Sequence, residues 1–312
     1  MIRELRKTDA PRVLEFLTTQ FPEEEAILGT RPEGFAKVVH RLFRWDTQLA
    51  LGIARLFHRP IFRFFVVEEN GRLVATTLLS FPERTGYVSM VVVDPAYRRR
   101  GHARALLERA RTATAAAGRR YIALDVLAEN TPARALYEQV GYRPLRDSSY
   151  LVRVPGTVVG DAGAGSTAVR PFRGPDARAV VEIAARSTPP EVGSVLPLRE
   201  RALRGSGFVN GILGSEAGAW VVDRGTGPEA YLGAVATDAT DAGHLTDPIV
   251  GEGVDAADSG ALVRTAVAWL SARGGQRVVV QVPSTNVRGR AALLGEGFHD
   301  ALALWTLYRP VD

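Results

Sequence analysis

The chain has 312 residues, 46% of them hydrophobic and 23% charged, which is long for one domain and rich enough for two cores. It contains no cysteine, so disulfides, thiolate metal sites and cysteine nucleophiles are excluded. The net charge of +5 rests on arginine, because lysine occurs only at Lys7 and Lys37. With the heavy alanine and glycine usage, this bias reads as base composition and not as selection for nucleic acid. The charge is also uneven: residues 1–155 carry 25 basic and 17 acidic side chains, residues 156–312 carry 14 and 17. An anionic ligand is therefore expected in the first half. Met1 to Gln20 lacks an apolar stretch, and runs such as Val88 to Val93 are far short of a membrane span. A soluble, cytoplasmic protein without membrane contact is expected.

In chain order, Ile2 to Arg6 reads as a short strand, and Thr8-Asp9 caps a helix through Leu17. Residues 33–57 have helical spacing. Phe62 to Glu69 and Leu73 to Phe81 read as strands joined by Asn70-Gly71, a strong hairpin signal. Tyr87 to Val93 is a third strand. His102 to Ala117 is a helix with Ala103, Leu106, Leu107, Ala110, Ala113, Thr114 and Ala117 on one face, ended by Gly118. Tyr121 to Leu127 is a strand, Pro132 to Val140 a helix closed by Gly141, and Tyr150 to Val154 a final strand.

The second half echoes the first. Arg3, Arg6, Asp9 and Ala10 recur as Arg170, Arg173, Asp176 and Ala177, at an offset of 167. Gly118 to Tyr142 matches Gly274 to Phe298 at an offset of 156, pairing Asn130 with Asn286 and Gly141 with Gly297. Two copies of one fold are expected, residues 1–155 and 167–312, joined by a small-residue linker at 156–166.

The segment from Val91 to Ala103 leads a strand into a helix. A helix start offers unpaired N–H groups and partial positive charge, a ready phosphate site. Gly101 allows close backbone approach, Ala103 adds little bulk, and Arg98-Arg99-Arg100 adds charge. This stretch, with Arg98-x-x-Gly101-x-Ala103, resembles the acyl-CoA signature of the GCN5-related N-acetyltransferases. Asn130, Tyr137 and Gly141-Tyr142 match that family's next motif in order.

The resemblance implies a mixed α/β (α+β) sheet whose fourth and fifth strands splay to admit pantetheine. It implies an acetyl-CoA-dependent N-acetyltransferase acting on a primary amine of a small molecule or peptide. The backbone of Val91, Val92 and Val93 would hold the pantetheine amides. Arg98, Arg99, Arg100, Gly101, His102, Ala103 and Arg104 would take the pyrophosphate, chiefly through main-chain N–H groups. Asn130 would bond the pantetheine arm, and Tyr137 would be the general acid, a phenol that stays protonated at neutral pH. No metal is expected, a homodimer is a reasonable expectation, and the general base stays open among Glu68, Glu69, Glu83, Asp125, Glu129, Tyr87 and Ser89. Acceptor specificity would come from Phe21 to Ile61, including the acids Glu23, Glu24 and Glu25.

Carried back from the second repeat, the offset of 156 sets Arg98–Ala103 against Val254–Ser259, where the arginines and the glycine are gone and two aspartates stand. The second copy is therefore expected to be degenerate and unable to bind CoA, its Asn286 capping a helix. A CoA-responsive regulatory protein without turnover is the alternative. A nucleic-acid binder is disfavoured, since no helix carries a basic stripe with aromatic residues interleaved.

Overall fold

Asn70 and Gly71 both take positive φ, 49° and 76°, so the turn twists with its flanking strands and closes a tight hairpin. Those strands are β2 (Phe62–Glu69) and β3 (Arg72–Ser80). The computed structural model describes residues 1–18, 37, 41, 47, 61–154, 168–203, 214–238 and 240–311. The expected linker and the Phe21–Ile61 acceptor segment lie outside these residues, as does all of the 33–57 helix but Lys37, Arg41 and Thr47. Before the hairpin come β1 (Ile2–Glu4) and α1 (Ala10–Thr18); after it come β4 (Thr85–Val93), α2 (His102–Ala116), β5 (Tyr121–Leu127), α3 (Thr131–Gln139) and β6 (Arg143–Arg153).

The second half repeats this order. It contains β7 (Val169–Pro171), α4 (Ala177–Ser187), α5 (Pro190–Val195), α6 (Glu200–Leu203), β8 (Ser215–Asp223), β9 (Pro228–Thr237) and β10 (Ala242–Leu245). Then follow β11 (Ile249–Val250), α7 (Ala256–Ser271), β12 (Arg277–Pro283), α8 (Val287–Gly295) and β13 (His299–Pro310).

All strands join one mixed sheet, in the order β1-β2-β3-β4-β5-β13-β6-β12-β10-β9-β8-β7, with β11 beside β9. The last strand of each half thus lies in the sheet of the other. β13 pairs with β5 from Leu304–Leu127 to Pro310–Tyr121, and β6 pairs with β12 from Arg153–Val278 to Ser148–Pro283. The cores follow the exchange. Leu307 and Val311 pack among first-half residues such as Phe65, Leu106 and Leu124, whereas Leu151 of β6 packs among Leu232, Leu262 and Val280. The sequence reading began this strand at Tyr150, seven residues late. Pro144 and the polar run Arg146–Ser149 hide it, and a neighbour on each side holds it extended.

The repeat is a structural one. The Arg3 guanidinium donates to both oxygens of buried Asp9 (2.5 and 2.9 Å) and to Glu68 (2.7 Å). Arg170 does the same with Asp176 (2.8 and 2.9 Å) and Asp223 (2.6 Å). In each half this fork ties the first strand, the turn before the first helix and the end of the second strand together. Each half also uses a glycine to seat its long helix. A Cβ on Gly86 would lie 2.2 Å from Thr114 Oγ1 of α2, and one on Gly243 would lie 2.7 Å from Leu270 Cδ2 of α7. Among the described residues, no helix is long and apolar enough to cross a membrane.

Candidate active site

β4 and β5 are parallel, and their pairing ends at Val88–Leu124. Beyond that point β4 bends. Met90 has a φ of 53°, and the register with β3 slips between Leu78–Ser89 and Thr76–Val92. This bulge turns the strand away from β5 and opens a cleft. The Val92 side chain is buried against Val13, Phe16 and Val66, while Val91 and Val93 pack on the main first-half core. Their side chains are thus committed to packing, and what these residues offer the cleft is backbone.

At the end of β4 the Asp94 carboxylate accepts from the Ala96 N–H (2.9 Å) and from Arg72 (3.1 Å), fixing the turn at Pro95–Tyr97. Arg99 and Gly101 take φ of 64° and 85°, and α2 starts at once after Gly101. No side chain caps this helix. The first-turn N–H groups of His102, Ala103 and Arg104 therefore stand without intrahelical acceptors, at the positive end of the helix dipole. The arginines are not equivalent. Arg100 pairs with Glu69 (3.3 Å) and lies over the Tyr97 ring, Arg98 reaches back to the Val93 carbonyl (3.3 Å), and Arg104 donates to Gln139 (3.2 Å). Arg99 is exposed and makes no hydrogen bond among the described residues. His102 Nε2 is 3.1 Å from Glu69.

Asn130 caps α3, its Oδ1 accepting from Ala133 N–H (3.2 Å), and its side-chain NH2 donates to no described residue. Tyr137, about two turns on, is 7% exposed and packs beside Tyr142 with ring centroids 6.1 Å apart.

Where β5 leaves β4, Asp125 accepts from Thr306 (2.7 Å) and from Gln281 (3.1 Å), both residues of the second half. The Tyr87 hydroxyl lies beside the same carboxylate, and burial and then that charge hold it well above its usual range. The sequence reading considered Asp125 and Tyr87 but neither Thr306 nor Gln281, since no local pattern places β13 next to β5. The offset of 156 that relates Asp125 to Gln281 was the available signal. Of the other carboxylates weighed as bases, Glu68, Glu69 and Glu83 are engaged by arginine, and Glu129 is exposed.

The second half carries the same splay with a different lining. The β10–β12 pairing ends at Leu245–Val280. The helix that follows starts one residue after Asp255, so Gly101 corresponds to Asp255 and the register differs by two residues from the sequence estimate. The short β11 and the side-chain cap set this start. Asp255 accepts from Asp258 N–H (2.8 Å), filling the helix N-terminus with a carboxylate, and Arg224 binds Asp255 (3.0 Å) and Asp258. Asn286 caps α8 as expected, its Oδ1 accepting from Gly289 N–H (3.0 Å), and it also donates to Asp247 (2.7 Å) and the Pro248 carbonyl (2.7 Å).

The family profile described as Acetyltransferase (GNAT) family matches residues 12–142. This part of the chain is similar to the GNAT acetyltransferases. The match spans β4, the uncapped turn, Asn130 and Tyr137. Over the whole chain the fold is that of tandem GNAT proteins. A tandem GNAT protein from the clavulanic acid biosynthesis pathway aligns over 100% of this chain and 98% of its own, at 17% identity and a TM-score of 0.65. A GCN5-related N-acetyltransferase from Sphaerobacter thermophilus aligns over 100% and 95%, at 17% identity and a TM-score of 0.66. In sequence, the mycothiol acetyltransferase of Beutenbergia cavernae is 40% identical over 77 residues, 24% of this chain and 26% of that protein. This chain therefore matches about a quarter of that relative's length.

Proposed function

We propose that the protein transfers an acetyl group from acetyl-CoA to a primary amine of a small molecule or peptide, using the cleft of residues 1–155. The observation that carries the reading is the contrast between two equivalent helix starts. The one after Gly101 is uncapped and ringed by arginine, and the one after Asp255 is filled by carboxylates. The site fits the ligand. A diphosphate would rest on the N–H groups of His102, Ala103 and Arg104, with Arg98, Arg99 and Arg100 nearby. The backbone of Val91, Val92 and Val93 would pair with the pantetheine amides, and the free NH2 of Asn130 would donate to the same arm.

When bound, acetyl-CoA supplies the thioester to be attacked. A β4 N–H polarises the thioester carbonyl. The amine nitrogen forms the new C–N bond as the C–S bond breaks, and the amine's proton leaves to solvent. Tyr137 donates its phenolic proton to the departing thiolate and takes one back from solvent. Residues 167–312 act as a copy that does not bind CoA and that completes the sheet.

The burial of Tyr137 favours one other reading, a CoA-responsive regulator without turnover. One experiment separates them: thiol release from acetyl-CoA by the purified chain against a panel of primary amines. Amine-dependent release supports the transferase, and CoA binding without release from any amine supports the regulator. A titration should find one CoA per chain; two would overturn the role given to the second half.

A further inference from the structure

The second half's splay does not end in solid packing. A cavity of about 410 Å3 opens there, between the β10–β12 fork, the α4–α6 segment and the β3–β4 turn of the first half. Its size is at the small end of sites for small molecules. Leu196, Leu198, Leu203 and Tyr231 give it apolar walls. At the rim Glu83 and Arg201 neutralise each other through two hydrogen bonds of 2.6 Å.

Two charges inside are not neutralised in this way. Asp247, the second residue beyond the last β10–β12 pair, lines the cavity and is held by Asn286 Nδ2 (2.7 Å). Burial pushes its carboxyl up to about 6, against the Asn286 hydrogen bond and the charge of Arg146, which both favour the anion. Arg146, delivered by the exchanged strand β6, lines the same cavity. Its side chain makes no hydrogen bond to a described residue, and its Nε is buried without a partner. Among the described residues no ion pair joins Arg146 to Asp247. Buried groups left unpaired are costly, and one cation and one anion apart in a single cavity fit a ligand with the opposite pair.

We infer that this cavity binds a small zwitterion of amino-acid type, with its carboxylate on Arg146 and its ammonium on Asp247. The cavity reaches the first fork at Arg146, whose charge acts on the Tyr87 hydroxyl beside Asp125, and it lies away from the uncapped helix start. It adjoins the Pro82–Glu83 turn that leads into β4, whereas the uncapped helix follows Val93 at the other end. At ~3.3 Å per residue, the length of β4 sets the Glu83 end of the cavity roughly 27 Å from the start of that helix. Both halves build the site, and the residue that corresponds to the cofactor-facing Asn130 is here turned to holding Asp247.

The test is calorimetric titration of the full chain with the common L-amino acids and, for each that binds, its decarboxylated amine and its N-acetyl form. One amino acid or a related few should bind, with both analogues at least about tenfold weaker. Arg146→Met and Asp247→Asn should each weaken binding about tenfold or more, while acetyl-CoA binds as in the parent. Thermal unfolding checks the fold of each variant independently of acetyl-CoA. No binding by any amino acid, equal binding of either analogue, or undiminished binding in both folded variants overturns the proposal.

Discussion

Gln281 donates a hydrogen bond to the carboxylate of Asp125 (3.1 Å), and the two occupy the same place in the two repeats. They meet because β13 and β6 stand side by side at the centre of the sheet, each next to the other half's fork. The first cleft is thus walled partly by residues of the second half.

The exchange predicts one melting event. Leu307 is fully buried in the first-half core, although it belongs to the last strand of the chain. Leu307→Ala should cost about 2–5 kcal/mol. Calorimetry should show a single transition for the parent and a single, lower one for the variant. A first-half transition that moves away from an unmoved second one would contradict the coupling.

Local structure was well written in the sequence. The Asn70-Gly71 turn, the α2 face and the turn glycines Gly118 and Gly141 each carry a local signal, and all three sites behave accordingly. The turn from Asp94 to Gly101 was readable because Pro95 and Gly101 bracket it and an apolar helical face follows at once. Strand exchange was not readable, since a strand's alternation states which face is buried and not which neighbour lies beside it. For the same reason Arg146, Asp247, Thr306 and Gln281 passed unremarked as site residues.

Gly101→Asp would copy the second half into the first. The backbone there has a φ of 85°, and a Cβ would meet nothing within 4 Å. The strain is about 1 kcal/mol, which the fold should survive. Acetyl-CoA affinity should fall about 100-fold through carboxylate–phosphate repulsion and occupation of the helix start. Affinity within threefold of the parent would remove the loop from the diphosphate site.

Tyr137→Phe separates chemistry from packing. The ring stays against Tyr142, so stability should change by about 1 kcal/mol. Turnover should drop about 10²–10⁴-fold with acetyl-CoA affinity retained. Unchanged turnover would make Tyr137 a core residue only.

Asp247 gives a pH signature. Its carboxyl is raised to about 6 in the folded chain against about 3.9 unfolded, so the native state holds the extra proton between those values. Stability therefore falls as pH rises from about 4 to 6, and the deficit above that range is on the order of 2–3 kcal/mol. Asp247→Asn should raise the melting temperature at pH 7 and leave it unchanged at pH 4. An equal effect at both pH values would show that the carboxylate charge is not the cause.

The crossing of the final strands also bears on how such a duplicated chain can change. Neither copy can be discarded once each holds a wall of the other. Each fork is then held in place by the strand of its sibling, free to change its own lining.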